Sequence, residues 1–178
     1  MRPLFQKQLE SCWVEYFDFY LMHAQGKEYF EKFKKCRAYE QALELKAEGL
    51  IRHVGLSFHD KAEVLDEILT EYPQMEFVQL QLHYMDYDNP AIQGRQCCEV
   101  CAKHGKPVIV MEPVKGGSLV KLPEDALRYI TDLHGDSPAG YDSRGGRLPW
   151  GVYGAFRHER PGPAAGQCGG DEGLPAAG

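Results

Sequence analysis

The feature that most constrains the fold of this chain is a regular alternation of short apolar runs with amphipathic helical segments. Four runs of strand length recur, at residues 17–22, 53–58, 77–82 and 107–111. No tight turn of the kind that joins antiparallel strands lies between them. Strands that alternate with helices form parallel sheets covered by those helices. The sequence therefore predicts an α/β fold with a parallel sheet.

Helix boundaries are marked by residues that favour helix starts or stops. The helical face of 38–48 ends at Gly49, a favourable residue just beyond a helix. Three later helices carry start signals, which are the capping box of Asp60 with Glu63, the pair Asn89 and Pro90, and Pro123 before a helix over 123–133. The mixed-charge run 27–35 is interpreted as an exposed helix surface.

Glycine is distributed unevenly along the chain. Of the 19 glycines, seven lie in residues 1–134 and twelve lie in residues 135–178. A segment so rich in glycine and proline buries too little apolar surface to order itself. We therefore expect one ordered unit over residues 1–140 and an irregular tail over residues 141–178 that is not a domain.

Two architectures fit the alternation, an open doubly wound sheet and part of a (β/α)8 barrel. Neither a G-x-G-x-x-G motif nor a P-loop follows any strand, so the usual phosphate-binding loops are not indicated. In both architectures the functional site lies beyond the carboxyl ends of the strands. The polar residues predicted at those ends are His23, Ser57 with His59, Gln81 with His83, and Glu112.

Net charge and hydropathy restrict the partners. The chain has 20 basic and 26 acidic residues, a net charge of −6, which disfavours nucleic acid and anionic membrane surfaces. The longest apolar-rich stretch, residues 13–24, contains Glu15 and Asp18 and is too short to cross a bilayer. The N-terminus lacks the pattern of a secretory signal, so a cytoplasmic location is expected.

Four segments, taken in order, resemble the aldo-keto reductase family over roughly residues 5–140. AYEQALELKAEGLIRHVGLSF (38–58) resembles the family's helix–Gly–strand segment, and YFDFYLMH (16–23) resembles the fourth barrel strand with its catalytic His. FVQLQLHY (77–84) resembles the sixth strand, and KPVIVMEPVKGGSL (106–119) resembles the seventh with its loop. The match is most similar to the bacterial branch that often carries an iron–sulfur extension.

The resemblance implies a partial (β/α)8 barrel of about four βα units. It also implies carbonyl reduction by hydride from NADP(H) or NAD(H), acting on a small carbonyl substrate. His23 matches the catalytic His, Ser57 and Gln81 match the residues that bind the nicotinamide carboxamide, and Met111 matches a position that packs on the nicotinamide ring. Phe58 replaces a cofactor-binding Asn. Glu112 and Lys115 are left open between site lining and a solvated loop.

The family's Asp, Tyr and Lys belong to segments that precede the matched region, so no residue here is assigned to them. The chain is accordingly expected to be an internal fragment without activity of its own, and an iron–sulfur cluster would belong to an extension outside it. Codons for residues 152–168, read one base later, permit FMVLSGMSDLAQLRDNV, which resembles the family's last strand and helix. We hypothesise a frameshifted tail from about Tyr141.

Two other functions compete with the reductase interpretation. One is a half-barrel without catalytic activity that binds a partner or has no function, since its sheet would leave two edges open. The other is a thiol or metal protein using Cys97, Cys98 and Cys101. A zinc or iron–sulfur site needs about four ligands, and the sequence has no second C-x-x-C motif within reach of these cysteines. Buried free thiols in a helix are the favoured interpretation of these cysteines. His53 and His104 are expected to face solvent.

Overall fold

The part of the chain that the computed structural model describes, residues 1–83, 86–113, 115 and 152–154, holds five α-helices and five β-strands. The helices are α1 (Arg2–Cys12), α2 (Lys27–Lys35), α3 (Ala38–Ala47), α4 (Ala62–Glu71) and α5 (Gly94–Lys103). The strands are β1 (Phe17–Gln25), β2 (Ile51–Phe58), β3 (Phe77–Gln81), β4 (Val108–Met111) and β5 (Val152–Gly154). The four predicted strands are confirmed, with ends that shift by one to three residues.

The sheet decides between the two predicted architectures. Its strands are all parallel and follow the chain in the order β1-β2-β3-β4-β5. A doubly wound sheet reverses its strand order at a switch point, whereas a barrel adds each strand beside the last. Because the order never reverses and crossovers are right-handed, the helices collect on one face of the sheet. The chain is therefore an arc of a (β/α)8 barrel.

The hydrophobic core lies between that face, which we call the outer face, and the helices. On β2 the buried side chains Val54, Leu56 and Phe58 alternate with residues of the opposite, inner face. They pack with helix residues such as Leu65 and Ile68, both fully buried. The inner face is less covered, and Phe19 of β1 is 62% exposed there.

The tail contributes one element that the sequence analysis does not predict. β5 pairs with β4 in parallel, with Val108 opposite Val152 and Val110 opposite Gly154. A short strand therefore extends the sheet from within the segment predicted to be irregular. The predicted helix over 123–133 and the boundary between residues 140 and 141 lie outside the described residues.

The predicted capping box at Asp60 is wrong. Helix α4 begins at Ala62, whose backbone N–H donates to Gln93 Oε1 at 3.0 Å. Asp60 Oδ2 instead accepts from the backbone N–H of Lys27 at 2.9 Å, at the start of α2. At the starts of α2 and α4, a free backbone N–H group is therefore bonded by a side chain distant in sequence, and a local motif does not reveal such a partner.

The predicted helix start at Asn89 and Pro90 is also wrong, because α5 begins only at Gly94. The side-chain Oδ1 of Asn89 accepts from the backbone N–H of Ala91 at 2.9 Å, and its carbonyl accepts from Gln93 N–H at 2.7 Å. Asn89 thus forms a turn before the helix and does not cap the helix itself, and asparagine is common in both of these roles.

The cysteine prediction is confirmed, since Cys97, Cys98 and Cys101 are buried free thiols on α5. The prediction for His104 is wrong. Its ring Nε2 lies 2.6 Å from Asp66 Oδ1 and its side chain is only 16% exposed, whereas the side chain of His53 is 50% exposed as expected. The run Lys27–Lys35 is largely exposed but buries Phe30.

No helix within the described ranges is long and apolar enough to cross a membrane.

Candidate active site

The carboxyl ends of four consecutive strands carry the four residues for which the resemblance implies a role. His23 lies near the end of β1, Ser57 near the end of β2, Gln81 at the end of β3 and Met111 at the end of β4. Each follows a buried outer-face residue, and successive side chains of a strand point to opposite faces. All four residues therefore belong to the inner face.

The strand register sets the heights of these residues. Ser57 lies opposite Gln79, and Gln81 lies opposite Met111. Gln81 and Met111 thus form a pair one pleat period, about 6.6 Å, further toward the carboxyl edge than Ser57. Such a stagger between neighbouring strands is inherent to closing a sheet into a barrel. As a result, the hydroxyl of Ser57 lies deeper in the site, further from the carboxyl edge of the sheet, than the Gln81 amide and the Met111 thioether.

His23 lies at an irregularity of β1. The pairing with β2 shifts register between Met22 and Gln25, and Ala24 adopts a left-handed conformation with φ of 54°. An alanine in this region is strained, so the surrounding contacts must hold it there. The imidazole of His23 is exposed on the inner face, where a ligand could reach it.

Gln25 supplies those contacts. Its fully buried amide Nε2 donates to the carbonyl of His23 at 3.1 Å, and its Oε1 accepts from the hydroxyl of Tyr39 on α3. Its own carbonyl accepts from the backbone N–H of His59 at 2.8 Å. One residue therefore ties the strained end of β1 to the helix layer through its side chain and to the end of β2 through its main-chain carbonyl.

Ser57 is 1% exposed, and its Oγ lies 3.1 Å from His59 Nε2. Burial lowers the pKa of His59, and the nearby charge of His23 lowers it further, while Glu112 raises it. The imidazole of His59 is therefore neutral at pH 7. The ends of β1 and β2 are neighbours in the sheet, and the charge of Glu112, which follows β4, also acts on His59.

A second polar group lies at the end of β3. The side chain of His83 is 1% exposed, with Nε2 at 3.1 Å from Asp86 Oδ2, outside hydrogen-bonding alignment. Burial lowers the pKa of His83, which the charge of Asp86 partly offsets. Asp86 also pairs with Lys115 at 2.9 Å, so Lys115 joins the loops after β3 and β4. Glu112 is exposed, with φ of 55°.

A cavity of about 200 Å³ opens beside these strand ends, between β2, β3 and the start of α5. His59 and Gln81 line its polar side, and Phe58, Leu80 and Cys97 line its apolar side. Burial raises the pKa of the Cys97 thiol to about 12, so the thiol stays protonated there. No cluster of three or more metal-ligating side chains is found among the described residues.

Sequence reasoning missed Gln25 and Tyr39. Gln25 follows the strand residue His23 by two positions, and a buried amide at that place gives no periodic signal. Tyr39 falls at an apolar position of the helical pattern, and its ring packs there as the pattern predicts. Its hydroxyl makes the hydrogen bond to Gln25, which the pattern does not indicate. The partner of each residue lies 14 positions away, beyond the reach of a local pattern.

The comparisons with known proteins agree with this geometry. A family model described as the Aldo/keto reductase family matches residues 1–139 of the chain. The chain belongs to this family. Among curated proteins, glyoxal reductase of Bacillus subtilis (strain 168) is 29% identical to this aldo-keto reductase chain over 137 residues, which are 76% of the chain and 44% of that relative.

Solved structures show the same fold. A Gox0644 variant in complex with NADPH has a TM-score of 0.73 and 20% identity, covering 97% of this chain and 59% of its own. An aldo/keto reductase from Brucella melitensis has a TM-score of 0.62 and 22% identity, covering 93% of this chain and 58% of its own. This aldo-keto reductase chain thus spans about half of the relatives it matches.

Proposed function

We propose that this chain forms the nicotinamide-binding and carbonyl-orienting side of an aldo-keto reductase that reduces a small carbonyl compound with NADP(H) or NAD(H). The observation that carries the proposal is the placement of His23, Ser57, Gln81 and Met111 on one face at the ends of four consecutive strands. A likeness to an NADPH complex supports it at the level of the family. We place the reaction in the cytoplasm.

The polar groups of the site fit a nicotinamide. Its carboxamide offers one acceptor oxygen and an NH2 donor. The hydroxyl of Ser57 donates and accepts, and the side-chain amide of Gln81 does both as well. Gln81 is half-buried and makes no side-chain hydrogen bond to any other residue in the described ranges, so its amide is available for a ligand.

The apolar group of the site fits the ring of the same cofactor. Met111 lies opposite Gln81 in the register, and a flexible thioether packs favourably against an aromatic ring. The bound cofactor would supply the hydride. Ser57, Gln81 and Met111 would hold its ring in one orientation, and such positioning is a large part of catalysis between two bound groups.

His23 would orient the substrate. Its exposed imidazole can donate a hydrogen bond to a carbonyl oxygen, which becomes more negative as the carbonyl carbon accepts hydride. The proton for that oxygen comes in this family from a Tyr whose pKa is lowered by a Lys. The resemblance assigns neither residue to a position in this chain, so we propose that these 178 residues alone do not catalyse carbonyl reduction.

Binding of the cofactor to the purified 178-residue chain tests the proposal. We expect Ser57→Ala and Gln81→Ala each to weaken binding of NADPH or NADH by about two- to tenfold, the value of one hydrogen bond. Gln79→Ala, on the same strand and face one pleat lower, is the matched control and should bind as the original chain does. Equal losses in all three variants would contradict the proposal.

Turnover is the second measurement. Assays with NADPH or NADH and simple aldehydes and ketones should show no carbonyl reduction by this chain alone. Turnover that His23→Ala abolishes would overturn the proposed inactivity while confirming the role of His23.

A non-catalytic binding role is the second candidate, favoured by the exposure of Phe19 on the uncovered inner face and of Trp13 at 94%. Half a barrel buries less surface than a closed one, so we expect marginal folding of the isolated chain. A monomer that melts cooperatively yet binds neither nicotinamide cofactor would favour this second role.

A further inference from the structure

We propose that His59 fixes the polarity of the Ser57 hydroxyl, so that the site selects a carboxamide over a carboxylate on the ligand. The inference rests on the proposed function, because it concerns the group that Ser57 would bind. It assigns a positioning role to His59, which acts through Ser57.

The geometry leaves Ser57 one partner within the described part of the protein. Its Oγ lies 3.1 Å from His59 Nε2, and the residue is 1% exposed. A hydroxyl has one proton to donate and two lone pairs to accept with. If the proton points at His59, only lone pairs remain for a ligand. If His59 donates instead, the proton is free to point at the ligand.

The surroundings of His59 set the charge of its ring near neutral pH. The charged and titratable groups around it are His23 from β1, Glu112 after β4, the adjacent Asp60, and the Cys97 thiol across the cavity. Burial, the largest cause, lowers the pKa of His59, so its ring is neutral at pH 7. A neutral ring has one nitrogen without a proton, and in the proposed arrangement that nitrogen is Nε2, which then accepts from the Ser57 hydroxyl.

The consequence for the ligand is a difference in hydrogen bonding. When the Ser57 hydroxyl donates its proton to His59, its oxygen can still accept a hydrogen bond from the NH2 of a carboxamide. A carboxylate has no proton to donate to that oxygen, and the hydroxyl has no proton left to donate to the carboxylate, so no hydrogen bond forms between them. The negative charge of Glu112 disfavours a carboxylate further. Below the pKa of His59, Nε2–H donates to Ser57, the hydroxyl turns its proton outward, and a carboxylate becomes the better ligand.

The tautomer of His59 tests the polarity directly. Nitrogen NMR of the 15N-histidine-labelled 178-residue chain at pH 8 should show His59 with Nε2 unprotonated. Ser57→Ala should abolish that preference, whereas Ser11→Ala, an exposed serine on α1, should leave it unchanged. A protonated Nε2 at pH 8, or a tautomer unaffected by Ser57→Ala, would overturn the inference.

Ligand preference tests the consequence. Nicotinamide mononucleotide and nicotinic acid mononucleotide are titrated at pH 8 and at a lower pH into the original chain and into His59→Gln. The preference for the amide should fall at least fivefold in the original chain between pH 8 and a pH at which the nitrogen NMR shows His59 protonated. His59→Gln keeps His23 and Glu112 but has no titrating ring, so its preference should change by less than twofold.

The outcomes separate the two proposals. Binding of neither mononucleotide would contradict the proposed function. Binding of both with the same pH dependence in the original chain and in His59→Gln would leave the proposed function standing and overturn the role of His59. His59 lies at the surface with its ring only partly buried, so the substitution is expected to leave the fold intact at pH 8. A second variant, His59→Asn, should repeat the result if Gln introduces a new contact.

Discussion

The ring of Phe77 lies directly over Gly55 on the inner face of the sheet. A Cβ placed on residue 55 would lie 2.6 Å from Cε2, 2.6 Å from Cζ and 2.6 Å from the carbonyl oxygen of Phe77. The same ring contacts Phe19 edge-on, with centroids 5.5 Å apart, and Phe19 in turn stacks on His53. These aromatic rings therefore form a layer on the inner face below the candidate site, and glycine at residue 55 leaves room for the ring of Phe77.

We predict that Gly55→Ala destabilises the protein by about 3 kcal/mol, at the upper end for overpacking, because one of the three short contacts is with backbone. Denaturant unfolding measures the change. In a Phe77→Leu background the same substitution should be less damaging, since the two ring contacts are gone while the carbonyl contact remains. An identical loss in both backgrounds would show that the ring is not what excludes a side chain.

The hydroxyl of Tyr39 is predicted to stabilise the end of β1. Tyr39→Phe leaves the fully buried Oε1 of Gln25 without its donor, which destabilises a protein by about 1–3 kcal/mol. Tyr29→Phe, on an exposed tyrosine of α2, is the control and should change the free energy of unfolding by less than about 0.5 kcal/mol. Equal effects in the two variants would mean that the Tyr39–Gln25 bond contributes nothing.

The candidate site could be predicted from sequence because it depends on two local properties. The end of each strand and the alternation of its side chains place His23, Ser57 and Gln81 on one edge and one face, whereas Met111 and the roles of all four residues come from the family resemblance. The architecture followed from the alternation of strands and helices, and only the strand order was needed to select the barrel. These features require no knowledge of which residues touch.

Most of the errors have the opposite character, since they depend on contacts between distant residues; the helix start at Asn89 is the exception, because its turn is made by local bonds. The start of α4 is capped by Gln93, 31 positions away, so Asp60 was free to bind α2. The ring of His104 contacts the carboxylate of Asp66, 38 positions away, and is partly buried as a result. Local composition cannot indicate such partners. The strand β5 was missed for a related reason: three residues carry no period, and their order comes from pairing with β4.

The thiols are predicted to divide by reactivity. Burial raises the pKa of Cys98 to about 11 and also raises the pKa of Cys101, whereas Cys12 and Cys36 are exposed. In a Cys168→Ser background, iodoacetamide at pH 8 should modify the two exposed cysteines rapidly, because the thiolate is the reactive form.

The three thiols of α5 should react only as the protein unfolds. Mass spectrometry after timed quenching locates the modified residues, and added denaturant should make Cys97, Cys98 and Cys101 react at the rate of the exposed pair. Rapid modification of any α5 thiol in native buffer would contradict their burial and revive the thiol-based function.

Acid is predicted to destabilise the protein through His83. Burial lowers its pKa below the ordinary 6.5, so between that value and its folded pKa the unfolded chain binds more protons than the folded one. The stability contributed by a neutral His83 is complete above about pH 7 and is lost as the pH falls through 6.5. One such group changes the free energy of unfolding by at most about 1.4 kcal/mol per pH unit.

His83→Asn removes this titration, so denaturant unfolding between pH 7.5 and pH 5 should show a shallower loss of stability than in the original chain. His59 is affected in the same direction by burial, and the double variant His59→Asn/His83→Asn should flatten the profile further. A profile for His83→Asn that runs parallel to that of the original chain would mean that Asp86, 3.1 Å from the ring, fully offsets the effect of burial on His83.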